Sequence, residues 1–160
     1  MVRRIVVRGV TPFVTAGAGF LLAVLWFDLM FDVQVFRHRA ASVPEDVLAS
    51  IAGYYGRVTT GARPMNRLIA IVMLATIGCV VAQVVSGDRP RWVGWVSLAL
   101  VFAPVMLAGL HTVPSAVRLG ARTDSAERQS DLAKAIFRDH LLCAAAIVAL
   151  LALQLSSAPG

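Results

Sequence analysis

Polar residues along this chain fall in clusters separated by four long apolar runs, over 10–31, 68–85, 92–110 and 141–155. The hydrocarbon core of a bilayer takes about 20 apolar residues of helix, with a range of about 17–25. The first three runs meet that length directly. The fourth has fifteen residues and draws on Ala135, Ile136 and Phe137, leaving Arg138, Asp139 and His140 at the headgroups. The pattern predicts an all-α fold: a transmembrane bundle of four helices over about 10–34, 66–86, 92–113 and 136–156, with all 160 residues in one integral membrane domain. The first run is too long for the apolar segment of a cleaved leader, and no small-x-small site follows it. It reads as a retained helix.

The connections add detail. Let side A carry both termini and side B the other loops. On side A, Gly87, Asp88 and Pro90 predict a tight hairpin between spans 2 and 3. On side B, Ser42 and Glu45 fit a capping box with Pro44 in the first turn. Val47, Leu48, Ile51, Ala52 and Tyr55 then share one helical face. This predicts a short amphipathic helix on the membrane surface between spans 1 and 2. Asp124 and Glu127 repeat the capping pattern ahead of the fourth span, which starts outside the bilayer and runs in unbroken. Pro104, mid-span in helix 3, predicts a kink. Thr11, Thr15, Gly19 and Ala23 form a small-residue stripe for close helix packing, within the bundle or in a homo-oligomer or larger membrane complex. Trp26, Trp92 and Trp95 read as interfacial anchors.

Composition agrees with the pattern. Apolar residues make up 58% of the chain, charged residues 15%, and mean hydropathy is +0.75. A soluble domain of this size has too little interior for that apolar share. The lipid bilayer is thus the expected partner, with a multi-pass location in the cell membrane. The net charge of +6 does not point to nucleic acid, because the basic residues lie between the apolar runs rather than in one stripe. Arg3, Arg4, Arg8, Arg89 and Arg91 fall on side A. Arg37, Arg39, Arg57, Arg63, Arg67, Arg118, Arg122, Arg128, Lys134 and Arg138 fall on side B. The count favours a cytoplasmic side B, whereas the arginines before the first span favour the opposite orientation.

Candidate chemistry gathers at one end. Asp28 lies about 27 Å along the first span from Val10, and His111 about 28 Å along the third from Trp92. His140 opens the fourth span from side B. The three residues therefore share one level, at the side B edge of the hydrocarbon, and Asp32 is one helical turn beyond Asp28. Ionisable groups in a span are costly and mark function by default. Three readings stay open. Asp28, Asp32, His111 and His140 could ligate a metal, or the two histidines a haem. Asp28, Asp32, Asn66 and Arg67 could form an ion-pair network tying two helix ends together. The same residues could line a proton or substrate pathway. Cys79 and Cys143 fall at different depths and predict no disulfide.

The segment Thr112-Val113-Pro114-Ser115-Ala116-Val117-Arg118-Leu119 resembles part of the anthrone-oxygenase-like family of small four-helix membrane proteins. The resemblance covers the four-span layout and these eight residues. That family commonly has an asparagine after the proline, where Ser115 stands here, and no catalytic residue is carried over. Two functions follow as expectations: an accessory or interaction component of the membrane, or a membrane-embedded, metal- or haem-dependent oxidoreductase or oxygenase with its site at the histidine-bearing end.

Overall fold

A computed structural model describes residues 10–38, 41–87 and 90–157, which include no strand. Arg3, Arg4, Arg8, Arg39, Asp88 and Arg89 lie outside the described residues. Helix α1 spans Val10–Asp32 and tightens into a 3-10 segment, Val33–His38. Helix α2, Glu45–Gly56, widens into a π turn, Arg57–Gly61. Helix α3 is Arg63–Ser86 and α4 is Arg91–Leu107. A second π turn, Ala108–Thr112, joins α4 to α5, Val113–Ala121, and α6 covers Ala126–Ser156.

Four of these helical stretches are long and apolar enough to cross a membrane: Val10–His38, Pro64–Ser86, Arg91–Ala121 and Ala126–Ser156. Helix α1 packs on α3 and α6, and α4 packs on α3 and α6, which closes a ring of four antiparallel spans. Within the protein, 39% of the apolar window of α6 is buried, against 17% for α1, so α6 is the most enclosed span. The outer faces carry large apolar side chains, among them Phe13, Leu74, Phe102 and Leu155, as a lipid-facing surface requires. Trp26, Trp92 and Trp95 are exposed on the same surface.

The 31-residue α6 is about 46 Å long, well beyond a hydrocarbon core of about 30 Å. Its length leaves several turns over at side B, where α5 lies, and α2 packs against both α5 and α6. Two cores result. The membrane core contains Val14, Ala18, Val80, Val101, Ile147 and Leu150. The side B cap contains Val35, Leu48, Ile51, Tyr55, Leu119 and Ile136 among others. The face of α2 expected to meet lipid is therefore buried against protein: Leu48, Ile51, Ala52 and Tyr55 supply it, and α5 and α6 cover it. The backbone N–H of Val43 donates to Ser130 Oγ at 3.0 Å, and Lys134 Nζ donates to the Ala41 carbonyl at 2.7 Å, strapping the preceding loop to α6.

Several local expectations need correction. Pro44, not Ser42, is the N-cap of α2, and no side chain caps it; Glu45 pairs instead with Arg122. Ser125 caps α6 by accepting from the Arg128 N–H, because Asp124 is engaged by Arg118 at 2.7 Å. Helix α4 carries Pro104 within it, and a π turn follows before Pro114. There the Val113 N–H reaches back five residues to the Ala108 carbonyl. The proline has no N–H, and its ring pushes away the carbonyl four residues earlier, so the turn widens. The π turn after α2 ends the same way, with the Ala62 N–H on the Arg57 carbonyl at 3.0 Å, shortly before Pro64. Along α1, the small residues that pack are Gly17 and Ala18. Ala23 is exposed, and a Cβ at Gly19 would meet nothing within 4 Å. A Cβ at Gly17 would run into Thr76 Oγ1 of α3.

Near side A, one polar knot joins all four spans. Gln83 and Gln154 exchange amide hydrogen bonds at 3.2 and 3.1 Å. Gln83 also donates to Thr11 Oγ1 at 3.2 Å, and Gln154 to Ser97 Oγ at 2.9 Å. These groups have no water to turn to, so the spans satisfy each other. Replacing one glutamine by leucine removes the exchanged pair of hydrogen bonds and leaves part of the other amide unmatched, at a cost of about 1–3 kcal/mol. The double replacement is expected to cost less than the sum of the singles, measured as a double-mutant cycle on thermal unfolding in detergent. In the cap, a Cβ at Gly120 would lie 2.7 Å from the Gly56 backbone N. Gly120→Ala should therefore destabilise by about 1–3 kcal/mol through overpacking. Gly78→Ala, in open space on α3, should not lower the melting temperature.

Candidate functional site

The seam between the two cores is polar. At its centre, His140 Nδ1 of α6 lies 2.6 Å from Asp32 Oδ2 of α1. The other oxygen of Asp32 accepts from the Tyr55 hydroxyl of α2 at 2.7 Å. The same hydroxyl is 3.4 Å from His140 Nδ1. Asp32 is only 1% exposed and His140 7%, so neither group has water to rely on. A carboxylate accepting from a tyrosine and facing Nδ1 requires the ring proton on Nδ1, which leaves the lone pair of the neutral ring on Nε2.

One turn earlier on α1, Asp28 Oδ1 accepts from the Tyr54 hydroxyl at 2.7 Å. Its Oδ2 faces His140 Nε2 across 3.9 Å, too far for a hydrogen bond. The Tyr54 ring lies parallel to Phe31, with centroids 4.0 Å apart, and its edge meets Tyr55. Both tyrosine hydroxyls hold their protons well above the ordinary phenol range. Burial is the larger cause, and the carboxylate that each hydroxyl serves adds to it.

A second pair sits on the other flank of α6. His111 Nδ1, in the second π turn, is 2.5 Å from Asp139 Oδ2. Thr112 Oγ1 donates to the same oxygen at 3.1 Å, and Arg138 stands 3.6 Å from Oδ1. Asp139 and His140 are consecutive on a helix that turns about 100° per residue, so they face different neighbours. The widened turn before Pro114 brings His111 and Thr112 together onto Asp139.

The structure thus brings Asp28, Asp32 and His140 together and pairs His111 elsewhere. With Asp32 committed to Nδ1 and His111 to Asp139, only His140 Nε2 and Asp28 Oδ2 of the expected metal ligands face each other. Among the described residues, no group of three His, Cys, Asp or Glu side chains is arranged to hold a metal ion. The expected helix-end network differs as well. Asn66 Nδ2 donates to the Thr59 carbonyl at 3.3 Å, an acceptor freed by the first π turn. The exposed Arg67 makes no ion pair with either aspartate among the described residues. The tyrosines of α2 take the places expected of Asn66 and Arg67. Tyr55 carried a signal in the sequence: a tyrosine ending a buried apolar stripe must find a partner for its hydroxyl. Tyr54 lies off that stripe and carried none. Cys79 and Cys143 are free thiols, and Cys143 Sγ donates to the Pro104 carbonyl at 3.9 Å.

No family model, curated protein or solved structure matches the chain.

Tyr54 and Tyr55 are the only tyrosines in the chain, so alkaline titration reads the site directly. In detergent the folded protein should show no tyrosinate absorbance at about pH 10, where the unfolded chain is half ionised. The folded state holds these protons more tightly than the unfolded chain does. The resulting stabilisation is therefore complete below about pH 10 and is lost as pH rises toward the folded values. Normal titration of both residues in folded protein would contradict the geometry.

Proposed function

We propose that the chain is a membrane-embedded enzyme of the oxidoreductase or oxygenase class, with His140 as its general base. One observation carries this reading. His140 Nε2 is the ring nitrogen with no hydrogen-bond partner among the described residues, and it points at Asp28 Oδ2 across 3.9 Å. Asp32 and Tyr55 fix the ring and its tautomer, as an orienting carboxylate does for a catalytic histidine. A substrate proton placed in the gap would pass to Nε2, while a hydroxyl elsewhere on the substrate would donate to Asp28. General-base transfer of this kind contributes about 10²–10⁴ in rate.

The resemblance of residues 112–119 to the anthrone-oxygenase-like family suggests a test substrate. An anthrone bearing one hydroxyl is flat and largely apolar, and its methylene proton is acidic. Removing that proton leaves a carbanion that O₂ can oxidise; overall, one anthrone and one O₂ give one anthraquinone and one water. Asp139, His111 and Thr112 stand outside this step and hold the third span against α6.

The complete partnering of Asp32 and Asp139 favours a second reading, an accessory component of a membrane complex in which the seam only joins cap to bundle. Oxygen uptake by detergent-purified protein with an anthrone separates the two. The enzyme reading expects turnover that falls about 10²–10⁴-fold in His140→Gln with helicity retained, and a smaller fall in Asp32→Asn. Absent turnover, or turnover unchanged in His140→Gln, would rule out the base. A visible spectrum and metal analysis belong to the same experiment: a Soret band or stoichiometric metal lost in both His111→Ala and His140→Ala would replace it with a metal or haem centre.

A further inference from the structure

Exposure across the seam is one-sided. The side chain of Asp32 is 1% exposed, that of His140 9%, and that of Asp28 17%. The centre therefore opens on the Asp28 side, where α1 faces outward. On the face of α1 that carries Asp28, the residues within one turn are Val24, Leu25 and Phe31, all apolar and all partly buried. Such a rim holds no water but suits lipid. Over the opening lies Tyr54, its ring on Phe31 and its hydroxyl on Asp28 Oδ1.

We propose that the centre is entered sideways from the bilayer, between α1 and α2, by an apolar molecule bearing one hydroxyl. This inference rests on the acid–base reading for its purpose. The entering hydroxyl replaces the Tyr54 hydroxyl on Asp28, one donor for another, so the carboxylate is never left unpaired during the exchange. Tyr54 is only partly buried, so once displaced its own hydroxyl can reach the headgroup region. The apolar body stays against Phe31 with its acidic C–H toward His140 Nε2, and the hydroxyl stays on Asp28. Tyr54 is a positioning residue that guards the entrance, and Asp28 selects molecules able to donate a hydrogen bond.

Carboxyl labelling tests the route without any turnover. The full chain is reconstituted in phosphatidylcholine vesicles and treated in parallel with a lipid-soluble carbodiimide, dicyclohexylcarbodiimide, and with a water-soluble, cationic one. Peptide mass spectrometry then locates the adduct. The expected result is labelling of Asp28 by the lipid-soluble reagent alone, lost in Asp28→Asn. Tyr54→Phe, which keeps the stacked ring but frees Asp28 Oδ1, should raise the rate several-fold. Membrane-dissolved 1-naphthol should slow labelling of the wild-type protein, and its sulfonated, water-soluble analogue should not. Equal labelling by both reagents, labelling by neither, adducts on Asp32 rather than Asp28, or no protection by 1-naphthol would each overturn the proposal. A failure of catalysis would leave the labelling pattern intact, so the two readings fail separately.

Discussion

The contact between Asp32 and His140 is the constraint on which the molecule depends. A carboxylate 1% exposed at the edge of a bilayer cannot exist without partners, and burial on this scale is costly until the geometry is complete. Completion takes three elements at once: α1 supplies the carboxylate, α6 the imidazole and α2 the tyrosine. The bundle cannot close at side B without the cap, and the cap has no apolar face to rest on without the projecting ends of the third and fourth spans. The demand of one buried acid thereby couples two cores that share few residues.

The polar groups are divided by depth. Near side A the spans meet through neutral amides and hydroxyls, which can satisfy each other in lipid. Among the described residues, the buried aspartates and histidine, Asp32, Asp139 and His140, lie in the seam, where donors from the cap can reach them. Proline shapes that seam from a distance. Pro114 and Pro64 each widen the turn before them, one placing His111 and Thr112 on Asp139, the other leaving the Thr59 carbonyl to accept from the Asn66 amide.

The spans were legible because lipid imposes length and apolarity directly on the sequence, and the face of α2 was legible because helical spacing exposes it. The covering of that face was not, since Leu48 and Ile51 read the same whether they meet lipid or protein. Depth arithmetic placed Asp28, His111 and His140 at one level but could not pair them. Pairing depends on rotation about each helix axis, and the π turn shifts that rotation for His111. Arg67 seemed the natural partner for the aspartates because opposite charges attract. The hydroxyls of Tyr54 and Tyr55 took the role because α2 folds down onto the seam, a tertiary event that charge counting does not register. Capping was misread by one or two residues at both side B helices for a related reason: Glu45 and Asp124 found arginines on neighbouring elements and left the caps to others.

The placement of Asp139 and His140 on adjacent residues has a mechanical consequence. The two side chains grip different spans from one rigid rod. A rotation of α6 about its axis therefore displaces both contacts at once.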